Sequence, residues 1–218
     1  MNDNECSNAY KLTVDEAASI VEIAKISLCE KSEEYRDLLI SLDGVFGDID
    51  ADAPCPPHAA RCAIEAAALG RLAGIISELN DNNLSELHIA INEAFENDEI
   101  IEKVSLGTEQ KRGNNSSITY SDASDCLQSA AEALSGVAEY YFKESNNLEE
   151  LIMDGTINDS EQSSNQIERN ALEAMALVNI YEAIRTINDT ELVSLINQLI
   201  NADMSGAKIE RFNISLSF

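Results

Sequence analysis

Apolar residues recur every three or four positions over two long stretches of the chain. Across 13–42 they fall at Ile20, Ala24, Leu28, Tyr35, Leu38, Leu39 and Leu42, with one lapse at Lys31. Across 121–153 they fall at Leu127, Ala130, Ala131, Leu134, Val137, Ala138, Tyr141, Leu148, Leu151 and Ile152. Such spacing gathers one apolar stripe and predicts two long amphipathic helices. Thr13 stands three residues before Glu16, the spacing of a capping box; Ser121 and Ser124 at the head of the second stretch do not form one. Shorter helical patterns cover 58–79 and 83–95, then 166–187 and 191–202. Asn80-Asp81 and Asn188-Asp189 separate the members of each pair, and their short polar side chains suit the cap of the following helix. The last residues, KIERFNISLSF, alternate instead, with Phe212, Ile214, Leu216 and Phe218 on one face. The segment 100–107 is its counterpart. A lone strand leaves its backbone unpaired, so the two strands are expected to pair with each other.

The elements therefore come in two similar sets. Laying 61–106 over 169–214 without gaps gives 14 identities in 46 positions, at an offset of 108. Arg61/Arg169, Glu65/Glu173, Leu69/Leu177, Ile76/Ile184, Leu84/Leu192 and Leu87/Leu195 are among them. Upstream, LDGVFGDID at 42–50 resembles MDGTINDSE at 153–161, with Asp43 over Asp154, Gly44 over Gly155 and Asp48 over Asp159. There the offset is 111, and the change to 108 falls in the proline-bearing loop. The match predicts an internal duplication. Each glycine is expected to end its long helix in a left-handed cap. Ala63, Ala66, Ala67, Gly70, Ala73 and Gly74 form a small-residue stripe that lets another helix come close.

The expected organisation is a first unit over 1–106, a polar Gly/Asn/Ser-rich linker over 107–119 and a second unit over 120–218. The fold class is mainly α: duplicated three-helix units, each ending in a short strand, packed as one pseudo-twofold body. Closure within one chain, giving a monomer rather than a homodimer, suits a duplication that replaces a dimer interface.

Composition refines the picture. The apolar fraction is 44% and Trp is absent, so the core rests on Ala, Leu and Ile. All three prolines lie at 54–57, leaving the rest of the chain free to be helical. The net charge of −26 and pI near 4.1 repel nucleic-acid phosphates and anionic lipid surfaces. Neither direct nucleic-acid binding nor membrane binding is expected. Acidity of this kind serves solubility by itself; it also suits a basic protein partner. MNDNECSNAY has no basic or apolar segment of a secretory signal. Five scattered cysteines do not make a disulfide framework, and reduced thiols in a cytoplasmic protein are expected.

Chemistry-bearing residues concentrate at 48–62. Asp48, Asp50 and Asp52 imitate the start of a calcium loop, but Ala53 stands where such a loop needs Gly and Ala59 where it needs Glu. Cys55, His58 and Cys62 offer sulfur and imidazole to zinc, with Asp52 as a fourth donor. The second unit has Asn165, Gln166 and Asn170 around those positions, so no cofactor is expected. Glu65 and Glu173 sit at the edge of their helices, where an exposed carboxylate suits the first turns. No nucleophile elbow, P-loop, Rossmann glycine pattern or HExxH is present, and His58 and His88 are the only histidines available to a Cys–His pair.

These features point to a non-enzymatic acidic helical module that binds a protein partner as inhibitor or adaptor. In its sharpest form it mimics DNA and blocks the basic groove of a nucleic-acid enzyme. Asp43, Asp48, Asp154 and Asp159 are the candidate contact residues. The alternative is a small-ligand or metal sensor built on 48–62.

Overall fold

The structure, a computed structural model, describes residues 11–46, 50–106 and 118–217. It is mainly helical. The elements are α1 (Val14–Phe46), α2 (Pro57–Glu78), α3 (Asp81–Glu96), β1 (Ile100–Ser105), α4 (Tyr120–Met153), α5 (Asn165–Thr186), α6 (Asp189–Ser205) and β2 (Asn213–Ser217). The two strands form one antiparallel pair, with Ser105 opposite Asn213 and Val104 opposite Ile214. Among the described residues no helix is long and apolar enough to cross a membrane.

The caps follow from local chemistry. Thr13 and Glu16 make the expected reciprocal bonds at the start of α1. Asn80 and Asn188 accept from the backbone N–H groups of Asn83 and Glu191, at 2.9 and 3.1 Å. At α4 the sequence reading needs correction. The helix begins at Tyr120, and Thr119 with Asp122 forms the capping box that Ser121 cannot.

The Asp-Gly match also needs correction. Gly155 takes φ +75° just beyond α4, as a left-handed cap requires. Gly44 does not: α1 runs through it to Phe46. A glycine costs a helix only about 1 kcal/mol relative to Ala, too little to stop a helix whose neighbours continue it. Asp43 therefore lies in the last turn of α1, whereas Asp154 is the C-cap of α4.

The core forms one connected cluster with members from every helix. Its buried rows on the long helices correspond: Ala17, Val21, Ala24, Leu28, Tyr35 and Leu42 on α1, and Ala123, Leu127, Ala130, Leu134, Tyr141 and Leu148 on α4. Every member of the second row stands 106 positions after its counterpart. The extensive helix–helix faces join an element before the linker to one after it. Helix α1 lies against α4 and α5, α2 against α4, α5 and α6, and α3 against α5. Gly70 shows how close one such approach is, since a Cβ there would stand 3.4 Å from the Ala130 Cα. The small-residue stripe of α2 thus receives α4.

Loops and side chains cross over in the same way. The loop before α2 bonds to the start of α4: Cys55 N–H donates to Ile118 at 2.9 Å and Tyr120 N–H to Ala53 at 3.1 Å. The loop before α5 does this to the start of α1: Ser163 N–H donates to Leu12 at 2.9 Å and Val14 N–H to Glu161 at 3.0 Å. Arg61 pairs with Asp189 and donates to the Arg185 and Ile187 carbonyls. Arg169 pairs with Asp81 and donates to the Ser77 and Leu79 carbonyls.

Candidate functional site

The residues singled out at 48–62 do not converge. Asp48 lies outside the described residues. Asp50 and Asp52 are exposed, and the Asp50 carboxylate accepts from the Asp52 N–H at 3.2 Å, closing a local turn. Cys55 is buried in the core, where its backbone anchors the loop to Ile118. Ser163, 108 positions later, is also buried, and its backbone anchors its loop to Leu12 in the same way. His58 and Cys62 share one face of α2 as their spacing predicts, with Nε2 and Sγ 4.0 Å apart. Burial pushes the Cys62 thiol up, and the nearby Glu65 and Glu34 push it further. A reactive cysteine needs the opposite shift. His88 is buried in α3, with Nε2 3.4 Å from the Asn92 amide, and burial holds its pKa below the usual value. Among the described residues no group of three or more His, Cys, Asp or Glu could hold a metal ion.

The acidic contact candidates are spread out. Asp43 is exposed at the end of α1. The exposed Asp154 accepts from the Thr156 N–H at 2.9 Å, and its hydrogen bonds to Thr156 lower its pKa. Asp159 is exposed in the loop whose carbonyl receives the Asp15 N–H.

Glu65 and Glu173 are half-buried rather than exposed. Glu65 lies 3.5 Å from the Tyr35 hydroxyl, whereas Glu173 is ion-paired with Arg169 at 2.9 Å. Burial raises both carboxyls above the ordinary range, against the nearby cations. A folded-state pKa above the unfolded one favours the protonated form. Wild-type stability from this source therefore falls as pH rises from the usual value of 4.5 through the folded pKa. Glu65→Gln is expected to raise the urea midpoint at neutral pH and to lose that advantage near about pH 4. A variant less stable than wild type at neutral pH contradicts this.

Beside Glu65 sits Lys31, the lapse in the apolar pattern. It is 4% exposed. Its ammonium pairs with Glu34 and lies over the Tyr35 and Tyr181 rings, 5.1 and 4.7 Å from their centroids. Burial opposes the charge, but Glu34 and Tyr181 outweigh it and raise the pKa above its ordinary value. Arg185 also lies over the Tyr181 ring, 5.6 Å from its centroid. The result is a packed, charged plug between α1, α2 and α5.

Two open features accompany it. A cavity of about 560 Å³ lies between α2, α4 and α5, bordered by Ala73, Gly74, Gly136, Tyr140, Tyr141 and Glu173. A groove of about 500 Å³ lies between α1 and α4. Ile26, Cys29, Ala138 and Phe142 give it an apolar floor, with Ile26 and Phe142 48% and 50% exposed. Glu30, Glu33 and Glu139 wall it, together with Lys25 and Arg36. Lys25 is bound to Glu22 and lies 5.1 Å over the Phe142 ring. Glu30 and Glu33 continue along α1 into a shallow acidic hollow with Glu34 and Asp37.

No family model, curated protein or solved structure matches the chain.

Proposed function

We propose that the protein is a non-enzymatic, acidic protein-binding module that acts as an inhibitor or adaptor through the α1–α4 groove. The observation that carries this reading is an exposed apolar floor, Ile26 and Phe142, beside a run of carboxylates on α1. Large apolar side chains left in water beside one dominant charge suit a segment that is apolar on one side and basic on the other. The net charge of −26 draws such a partner from a distance. In the narrowest form of the reading, the α1 carboxylates stand in for DNA phosphates in the basic groove of a nucleic-acid enzyme.

The module is read as an internal duplication closed in one chain about a pseudo-twofold axis, hence a monomer. Three observations support this. Arg61 and Arg169 make the same contacts with partners exchanged at the offset of 108. The two loop-to-helix pairings are reciprocal. Ser105 and Asn213, aligned at that offset, sit directly opposite each other, where a twofold axis would cross an antiparallel pair.

Capture from a native lysate with wild type and with an Ile26→Asp/Phe142→Asp variant tests the site. The expected result is a partner retained by wild type and lost by the variant, with the circular dichroism of both alike. Retention of the same partner by the variant would remove the groove from the account.

A further inference from the structure

The α2–α4–α5 cavity corresponds, on the duplicated reading, to the place filled by the Lys31 plug in the other half. The aligned positions differ in size and charge. Tyr181 faces Ala73 in the alignment, Arg185 faces Ser77, Glu182 faces Gly74, and on the long helices Lys31 faces Val137 and Glu30 faces Gly136. What remains shared is the tyrosine–carboxylate pair: Tyr35 with Glu65 in one half, Tyr141 with Glu173 in the other. One half keeps this pair and covers it with its own ammonium and aromatic ring. The other keeps the pair and leaves about 560 Å³ of space above it.

Charge points the same way. Around the plug, Lys31, Arg61 and Arg185 face Glu34, Glu65, Glu182 and Asp189. Around the cavity, Arg169 is shared between Asp81 and Glu173, and Glu144 stands by Tyr140. The cavity side keeps the counterpart of Arg61, as Arg169, but has Val137 and Ser77 where the plugged side has Lys31 and Arg185. Tyr140 and Tyr141, which both border the cavity, meet edge to face with centroids 5.4 Å apart, and the face of such a ring attracts a cation.

We propose that this cavity binds a small organic ammonium ion with an apolar, ring-sized body, its cationic end over the Tyr141 ring, as Lys31 lies over Tyr35 in the other half, and beside the Glu173 carboxylate that Arg169 also binds. The ring of the ligand takes the space that Tyr181 fills there, against Ala73, Gly74 and Gly136. Selection follows from burial: an alcohol of the same shape gains the apolar contacts but not the charge.

The test is titration of the full-length protein with phenethylammonium and with 2-phenylethanol, followed through the Tyr ring signals by NMR. Phenethylammonium is expected to saturate one site that shifts Tyr140 and Tyr141, and to bind about tenfold or more tightly than the alcohol. Glu173→Gln is expected to remove that preference. Gly74→Leu is expected to abolish binding, since a Cβ at Gly74 meets nothing within 4 Å and the helix tolerates the change. It alters no charge, so it separates the cavity from general attraction to an acidic surface. No saturable shift, equal affinity for the alcohol, or binding unchanged in Gly74→Leu would each overturn the proposal. None of these touches the duplicated reading, which fragment association tests separately.

Discussion

Residues 1–106 expressed alone do not fold as a monomer. The fragment has the size of an ordinary domain, and its three helices and strand look self-sufficient along the sequence. Its apolar faces, however, are covered by the other half. Leu28 and Leu69 are 2% and 0% exposed, and the extensive faces of α1 and α2 are those against α4, α5 and α6. Without those helices the stripes turn to water, and isolated amphipathic helices are marginal there. The strand β1 also loses β2, its one strand partner among the described residues. The fragment is expected to show weak helicity and no cooperative melting, or to associate with a second copy. Mixing it with 118–218 restores helicity and one cooperative transition. A folded, monomeric 1–106 fragment by analytical ultracentrifugation would contradict the exchange of helices between halves.

Lys31→Ala lowers stability by about 2–4 kcal/mol, the scale of a buried large-to-small change with a lost cation–π contact. The side chain is 4% exposed between two tyrosine rings, so its stem and its charge are both used. Truncation opens a hole and leaves the half-buried Glu65 without its nearby ammonium. Lys31→Met restores the volume but not the charge, and falls between wild type and Lys31→Ala. Urea unfolding of the three proteins measures this. A Lys31→Ala change within about 0.5 kcal/mol of wild type would show that the plug contributes packing of no consequence.

Helical periodicity, the Asx caps and the pairing of the strands were all legible in the sequence, because each depends on near neighbours or on a single unsatisfied edge. The close approach at Gly70 was legible too, from small residues at helical spacing. The exchange of helices was not. An apolar stripe on α1 says that something covers it, but nothing in the stripe distinguishes α2 from α5. Two local signals misled. Asp43-Gly44 looks like a helix stop, yet its neighbours carry α1 past it. Ser121 looks like a cap, yet Thr119 has the carboxylate at the right spacing.

The site was less legible than the fold. Cys55, His58 and Cys62 drew attention by residue type, although Cys55 turns into the core, where its backbone anchors a loop as that of Ser163 does. Lys31 was visible only as a lapse in the pattern, and its partner ring on α5 lies far away in sequence. The cavity does leave a trace, as small residues at 73 and 74 aligned with Tyr181 and Glu182. That trace acquires meaning only on the duplicated reading, in which α2 against α4 corresponds to α5 against α1.

The most direct test of the central claim is the salt dependence of groove-dependent capture. Partner bound to wild type, and absent from the Ile26→Asp/Phe142→Asp variant, is eluted between about 50 and about 500 mM salt. The account predicts a basic protein released at intermediate salt. A partner held equally well at both ends of that gradient would contradict an acidic module that works by charge.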